Sequence, residues 1–500
     1  MYTYNGVTII GRYTAALLDI FVIGLFIKAA ALISEKKQQK LSSFFAGLFY
    51  ACMTLPIQLS HYYAVDSYLT TCLMIVWVLI LLPPSLITTT AIGLFFGLAV
   101  SAKISAIYSL PAIACALFIQ SIPLSWKQRV YLGIAGILVT IGTIRISFPY
   151  FFIHAKNIFK TGINPHILEN FAQLKMFDTP GNWFPPATMW SVTKPYIYPF
   201  ESLSTWGIGI PLSIILIIGC FILIRKHRTL LIAFLFLNII IVFGYQGVQY
   251  TKHMRYFWSI LPLLAVLAGA GWSNSTIDLR KIRHLIGVAL IIILVSVWPL
   301  LFISIYQHPH SRIAASEWIY DHIASTKVLS AEHWDDSLPV CVPNKECAQY
   351  THIEYPLYSP DSPEKWKDMY EKLSQTDYII LSSNRLYGSI SWAYLRYPET
   401  TRFYRSLFAN KLGFSRVVQF TSRPSFHIPH VRICIPVPWA TYGANSHSAQ
   451  QCDTDGISLI DDYADESFTV YDHPTVIIFQ KNGPISYDEF MNTLQEDSEK

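Results

Sequence analysis

His61-Tyr62-Tyr63-Ala64-Val65-Asp66 sets an acid, a histidine and two tyrosines between two apolar runs, residues 42–60 and 66–82. A polar turn so placed belongs at a water boundary, with a hydrophobic helix on either side. Working outward, apolar runs of roughly 17–25 residues, long enough to span a bilayer, recur about ten times before residue 306 and not after it. The helices are expected at about 9–33, 42–60, 66–82, 86–101, 104–122, 128–147, 205–224, 229–245, 256–272 and 284–305. Charged residues make up only 14% of the chain and hydrophobic ones 52%, against about 25% charged in soluble domains. The fold class is a polytopic α-helical membrane protein. Residues 1–306 form its transmembrane domain and residues 307–500 a soluble domain.

The basic residues orient the chain. Alternate short loops hold Lys36, Lys37 and Lys40; Lys127 and Arg129; Arg225, Lys226 and Arg228; and Arg280, Lys281 and Arg283. The opposite short loops hold only Lys103, Lys252 and Arg255. Lys and Arg accumulate on the cytoplasmic side. The 61–66 turn, the long loop 148–204 and the tail 307–500 are therefore expected outside. The N-terminus is then outside too, as an N-out start or because a helix precedes residue 1. The first apolar run is too long for a cleavable leader. The net charge of +5 is a loop property, and no basic tract is long enough to suggest nucleic acid.

Several residues invite chemistry, each beside a plainer reading. Asp66 stands at a helix start beside His61, where Asp is a preferred N-cap; His61 alone is more often an interfacial histidine. Asp19 is costly inside a membrane and either lines a cavity or hydrogen-bonds a neighbouring helix, the second being favoured. Lys103, Arg145 and Arg255 lie at one membrane level, with Lys252, His253 and Tyr256 beside the last. They either snorkel to the interface or hold a phosphate there. The 148–204 loop is rich in Asn, Pro and aromatics (Asn164-Pro165, Asn170, Trp183-Phe184-Pro185-Pro186, Trp190, Tyr196, Tyr198). That composition argues for short helices over a cavity rather than disorder.

The tail reads as a small α/β domain. It opens with an amphipathic helix at 310–320. Strands follow at 327–330, 378–382 and 417–420, helices at 363–374 and 397–412, and a last strand pair at 468–470 and 476–480; residues 430–460 read as loop. Glu332-His333-Trp334-Asp335-Asp336 looks chemical but equally suits a capped packing turn. Cys52, Cys72, Cys115 and Cys220 fall in membrane helices. Cys341, Cys347, Cys434 and Cys452 in an exported tail permit two disulfides; 341–347 with 434–452 is the sequence-local pairing among three. No CxxC spacing favours zinc.

In order along the chain, several stretches resemble the GT-C class of polytopic glycosyltransferases, above all the bacterial phospholipid-carrier-dependent relatives of dolichyl-phosphate-mannose protein mannosyltransferases. They are Gly11-Arg12-Tyr13-Thr14-Ala15-Ala16-Leu17-Leu18-Asp19, Ser60-His61-Tyr62-Tyr63-Ala64-Val65-Asp66, Gly97-Leu98-Ala99-Val100-Ser101-Ala102-Lys103, Arg145-Ile146-Ser147-Phe148-Pro149-Tyr150, Lys252-His253-Met254-Arg255-Tyr256-Phe257, Trp334-Asp335-Asp336-Ser337-Leu338-Pro339 and Phe468-Thr469-Val470-Tyr471-Asp472-His473-Pro474. The resemblance implies transfer of a hexosyl or pentosyl group from a polyisoprenyl-phosphate carrier to an acceptor hydroxyl on a protein, lipid or glycan. The reaction would run at the outer face of a bacterial plasma membrane, with the C-terminal domain extracytoplasmic and the bilayer lipids around it. By resemblance Asp66 is the second acidic group of the cavity and the catalytic candidate, supported by His61 and Tyr62. Lys103, Arg145, Lys252, Arg255 and Tyr256 face the donor. The class divides over metal, so a divalent ion stays open and no metal ligands are assigned. The class begins with a cytoplasmic N-terminus, a first helix and an acid-bearing outer loop that have no counterpart here. The expectation is a chain truncated before residue 1 and, without that acid, inactive. Two other readings stand: a transporter or flippase of lipid-linked sugar, for which no inverted repeat is visible, and a non-catalytic membrane protein with a binding tail.

Overall fold

A computed structural model describes residues 2–154, 157, 162–180, 185–226, 229–275, 280–343, 345–347, 349–444 and 455–495. Trp183, Phe184, Arg228 and Cys452 of the preceding section lie outside the described residues. The chain divides into two compact units: residues 1–176 with 195–299, and residues 177–194 with 300–500. The stretch 177–194 of the long loop thus groups with the tail.

The first unit is helical: α1 (Tyr2–Leu32), α2 (Gln39–Ala51), α3 (Thr54–Ser60), α4 (Val65–Ile80), α5 (Leu86–Ala102), α6 (Leu110–Gln120), α7 (Trp126–Ser147), α8 (Pro165–Phe177), α9 (Ile197–Ser202), α10 (Ile210–Lys226), α11 (Leu230–Val248), α12 (Leu261–Ser273) and α13 (Ile282–Ile303). Among the described residues, five helical stretches are long and apolar enough to cross a membrane, two more pairs are bent apolar helices, and three apolar helices are shorter.

Both bent pairs correct an expected straight helix. Residues 42–60 break between α2 and α3, which meet at 63°. Met53 is extended there (φ −82°, ψ 124°). Pro56 sits in the first turn of α3, where it needs no N–H donor; in a continuous helix its ring would meet the carbonyl of residue 52. The expected helix 205–224 breaks by 114° between the Ile197–Gly207 stretch and α10. Gly209 turns the chain with φ +91°, and the Trp298 ring lies 2.5 Å from where its Cβ would stand. Only glycine meets both conditions.

Packing between α5 and α7 uses small residues, as membrane helices do in place of hydrophobic drive. A Cβ on Gly93 would come within 2.4 Å of the Gly136 carbonyl oxygen, and one on Gly97 within 2.7 Å of Thr143 Cβ. The Ser147 hydroxyl donates to Ser101 Oγ (2.7 Å) and pins the ends of these two helices together. The alternative for Asp19 is also decided: the Tyr50 hydroxyl donates to its Oδ1 (2.6 Å), and Trp258 Nε1 donates to the same hydroxyl oxygen (3.0 Å). The half-buried acid thus ties α1 to α2 and to the 3-10 turn Met254–Ile260.

The second unit is α/β, in the order α14 (Ser311–His322), β1 (Val328–Glu332), β2 (Thr351–Tyr355), α15 (Pro363–Gln375), β3 (Tyr378–Leu381), α16 (Arg385–Trp392), α17 (Pro398–Phe408), β4 (Phe414–Phe420), β5 (Ser425–Phe426), β6 (Arg432–Pro436), β7 (Gly456–Ile460), α18 (Glu466–Thr469), β8 (Val476–Lys481) and α19 (Tyr487–Gln495). A five-stranded sheet runs β2-β1-β3-β8-β4, with parallel β1/β2 and β1/β3 and antiparallel β8 pairs. Trp366, Met369, Phe403, Leu407 and Phe490 from the helices pack on Ile379, Leu381, Ile477 and Phe479 of the sheet. A second sheet, β5-β7-β6, occupies part of the expected 430–460 loop. The expected strand at 468–470 is instead α18, because the Asp465 side chain caps it by accepting from the Ser467 N–H (3.0 Å). Cys341 and Cys347 form a disulfide. Cys434 is disulfide-bonded as well.

Candidate functional site

The 61–66 turn places Asp66 by helix geometry. Ala64 is extended and takes the N-cap position of α4 without a side-chain cap bond, so Asp66 is the second helical residue rather than the cap. Its carboxylate is buried and accepts a hydrogen bond from Lys103 Nζ at 2.7 Å. Lys103 is the C-cap of α5, extended at φ −156° and ψ 121°, with its N–H on the Ala99 carbonyl. An acid at a helix N-terminus and a cation at a helix C-terminus each complement the local dipole. The ion pair joins these two oppositely polarised ends.

A third element completes the cluster. Tyr256, in the 3-10 turn Met254–Ile260, lies 4.5 Å below Lys103 Nζ, measured to the ring centroid. The Arg255 guanidinium stands 5.6 Å from the same ring, and its charge acts on Lys103. The aromatic face attracts both cations and holds two like charges near one carboxylate. These three ionised groups sum to one positive charge. Trp258 and Asp19 anchor the turn from behind through the Tyr50 hydroxyl.

His61 is the C-cap of α3, exposed, with Nδ1 2.7 Å from the Ile57 carbonyl oxygen. The Tyr62 hydroxyl is buried. Lys252 is buried and donates to the Tyr250 carbonyl (3.0 Å). Arg145 is buried at the end of α7. It donates to the carbonyls of Pro149 (3.1 Å), His154 (2.9 Å) and Asn157, with its guanidinium 4.9 Å from the Phe152 ring centroid. Its charge organises the start of the long loop. The Tyr63 ring, one of the two tyrosines of the 61–66 turn, lies 2.2 Å from where a Cβ on Gly11 would stand, so the turn packs closely on α1.

In the second unit the Glu332–Asp336 stretch is an internal network. Asp335 is buried, receives Arg312 Nη2 at 3.0 Å and the Ser383 hydroxyl, and lies 4.0 Å from Arg385. Arg385 also bonds Glu466 (2.8 Å). Burial raises the Glu332 carboxyl well above the usual carboxylate range, although the Tyr404 hydroxyl donates to it at 2.5 Å. These residues hold β1 and α16 in place. Among the described residues no group of three or more His, Cys, Asp or Glu side chains could hold a metal ion.

No protein-family model and no curated protein sequence matches the chain. Among solved structures it is similar to ArnT from Cupriavidus metallidurans bound to undecaprenyl phosphate: 17% identity, 61% of this chain, 52% of that one, TM-score 0.43. The apo state of ArnT gives 16% identity, 60% and 52% coverage, and TM-score 0.39. The arabinofuranosyltransferase AftD from Mycobacteria gives 10% identity, 95% of this chain, 34% of that one, and TM-score 0.37. The chain thus spans about half the length of the ArnT chain.

Proposed function

We propose that the chain is a membrane glycosyltransferase of the GT-C kind, using a polyisoprenyl-phosphate sugar donor and an acceptor hydroxyl at the outer membrane face. The observation that carries this is the Asp66–Lys103–Tyr256–Arg255 cluster, a carboxylate and two cations gathered from three helix ends. Lys103 and Arg255 suit a phosphate, which leaves with developing charge and gains from fixed cations. Asp66 suits an acceptor hydroxyl, which loses its proton as it attacks the anomeric carbon. Lys103 pairs with Asp66. A donor phosphate would offer Lys103 a second partner and turn the carboxylate toward the acceptor. ArnT is described bound to undecaprenyl phosphate and AftD as an arabinofuranosyltransferase; at their TM-scores the support for the proposal is the side chains themselves. The sugar and the acceptor stay open in this proposal.

The test is transfer from synthetic polyprenyl-phosphate sugars by the purified chain in lipid vesicles. Wild type transfers label to an acceptor hydroxyl and Asp66→Asn does not, while both retain the same fold by circular dichroism. Equal turnover by the two sinks the role of Asp66. The bent helix pairs are the feature that favours a transporter instead. Donor movement across the vesicle without bond cleavage would establish that alternative.

A further inference from the structure

The long loop contains a helix whose apolar face is covered only in part among the described residues. At 100° per residue, Ile167, Leu168, Phe171 and Leu174 of α8 share one face with Lys175 among them, Ile167 and Phe171 being half-buried, and Glu169 and Gln173 lie opposite. Leu168 and Leu174 are 55% and 58% exposed, and α8 buries no residue fully.

Both ends of α8 are tied to ends of membrane-length helices. At its start, Asn164 N–H donates to the Phe151 carbonyl (3.0 Å) and its Nδ2 to Tyr150 (3.1 Å), while Ile153 N–H donates to Gly162 (2.7 Å). These bonds fold the loop back onto the end of α7. Near its other end, Lys175 Nζ donates to Gln249 Oε1 (2.7 Å), and Gln249 caps the C-terminus of α11. Helices α7 and α11 are both long and apolar enough to cross a membrane. The parity of the chain puts the end of α7 and the end of α11 at the same membrane face. A helix held at both ends at that level, with bare leucines on one side, lies along the interface.

We infer that α8 is an interfacial helix whose Ile167, Leu168, Phe171 and Leu174 face inserts into the lipid surface. Its occupant is the bilayer rather than a second copy of the chain, because its attachments end where two spans end. Amphipathic helices of this kind bury their apolar face about 5–10 Å into the headgroup and acyl boundary.

The experiment uses the full chain in vesicles of phosphatidylethanolamine and phosphatidylglycerol, with Cys52, Cys72, Cys115 and Cys220 replaced by alanine. Spin labels at Leu168→Cys and Leu174→Cys are compared with Glu169→Cys and Gln173→Cys. Ile137→Cys, on the exposed face of α7, is the depth standard. Labels at 168 and 174 are expected to be reached by oxygen and shielded from a water-soluble nickel chelate, at about 5–10 Å depth. Labels at 169 and 173 are expected to be reached by the chelate. Equal chelate access at all four sites overturns the inference, provided position 137 reads as lipid-buried. Chelate access at 137 overturns the membrane assignment itself. Shielding from both reagents with spin–spin broadening at 168 and 174 overturns it in favour of a copy interface.

Discussion

Asp66 and Lys103 carry opposite charges at a buried contact, so each substitution leaves the other without its partner, a change that is costly when a charge is desolvated. Three outcomes follow at this scale. Asp66→Asn should lower transfer by about 10²–10⁴-fold, the usual worth of a positioned proton acceptor. Lys103→Met should also lower transfer, and Arg255→Gln should weaken donor binding more than turnover; a KM-against-kcat comparison in vesicles separates the two. In the second unit, His473 is buried between Asp461 (2.9 Å) and Asp472. Burial alone would lower its pKa, but the two carboxylates outweigh that and raise it from 6.5 to about 10. The imidazolium therefore stabilises the fold fully below about pH 6.5, and that contribution is lost as pH rises toward about 10. Thermal melts across this window should fall, and His473→Gln should melt lower at pH 6.5 with a flatter profile. A mutant profile as steep as wild type would exclude His473 as the cause. Legibility at the residue scale was uneven. Asp66 and Lys103 were readable because polar residues interrupt apolar runs. Arg145 was readable as a cation but not as a ligand of three carbonyls, since only the folded backbone at Pro149, His154 and Asn157 presents them.

Among the elements, the site depends on how closely helices approach. Lys103 is the cap of α5, and α5 rests on α7 through Gly93 and Gly97. Gly97→Val should force the helices apart, lower the melting temperature, and weaken transfer by moving Lys103 although residue 97 touches neither charge. Loss of stability with unchanged transfer would separate the helix seam from the site. The apolar runs were legible because hydrophobic length alone defines them. The breaks at Met53 and Gly209 were not, although Pro56 and Gly209 were visible in the sequence. Whether a proline begins a helix or kinks it, and whether a glycine turns the chain, is decided by what packs there, here the Trp298 ring. In the tail, β6 and β7 were missed because they pair across about 20 residues, and α18 was taken for a strand because its Asp465 cap competes with β-branched propensity.

For the whole molecule, each unit buries apolar residues of its own, and in the second unit the described residues form two clusters on the β1–β3–β8 sheet, one with Ile379 and Phe479 and one with Ile380 and Ile478. The sequence changes from apolar runs to alternating helix and strand near residue 306, and the two units divide after Pro299. The grouping of 177–194 with the second unit was not announced, because Pro186, Met189 and Trp190 are buried by partners distant in sequence. Replacing Cys341 and Cys347 together by serine should lower the melting temperature of the second unit and leave the helical unit unchanged, as followed by near- and far-ultraviolet dichroism. The central claim concerns the first unit, and the most direct measurement is single-turnover transfer from a radiolabelled polyprenyl-phosphate sugar by wild type, Asp66→Asn and Lys103→Met in the same vesicles. The account predicts labelled product from wild type and little from either variant. Product formed at the same rate by all three would contradict it.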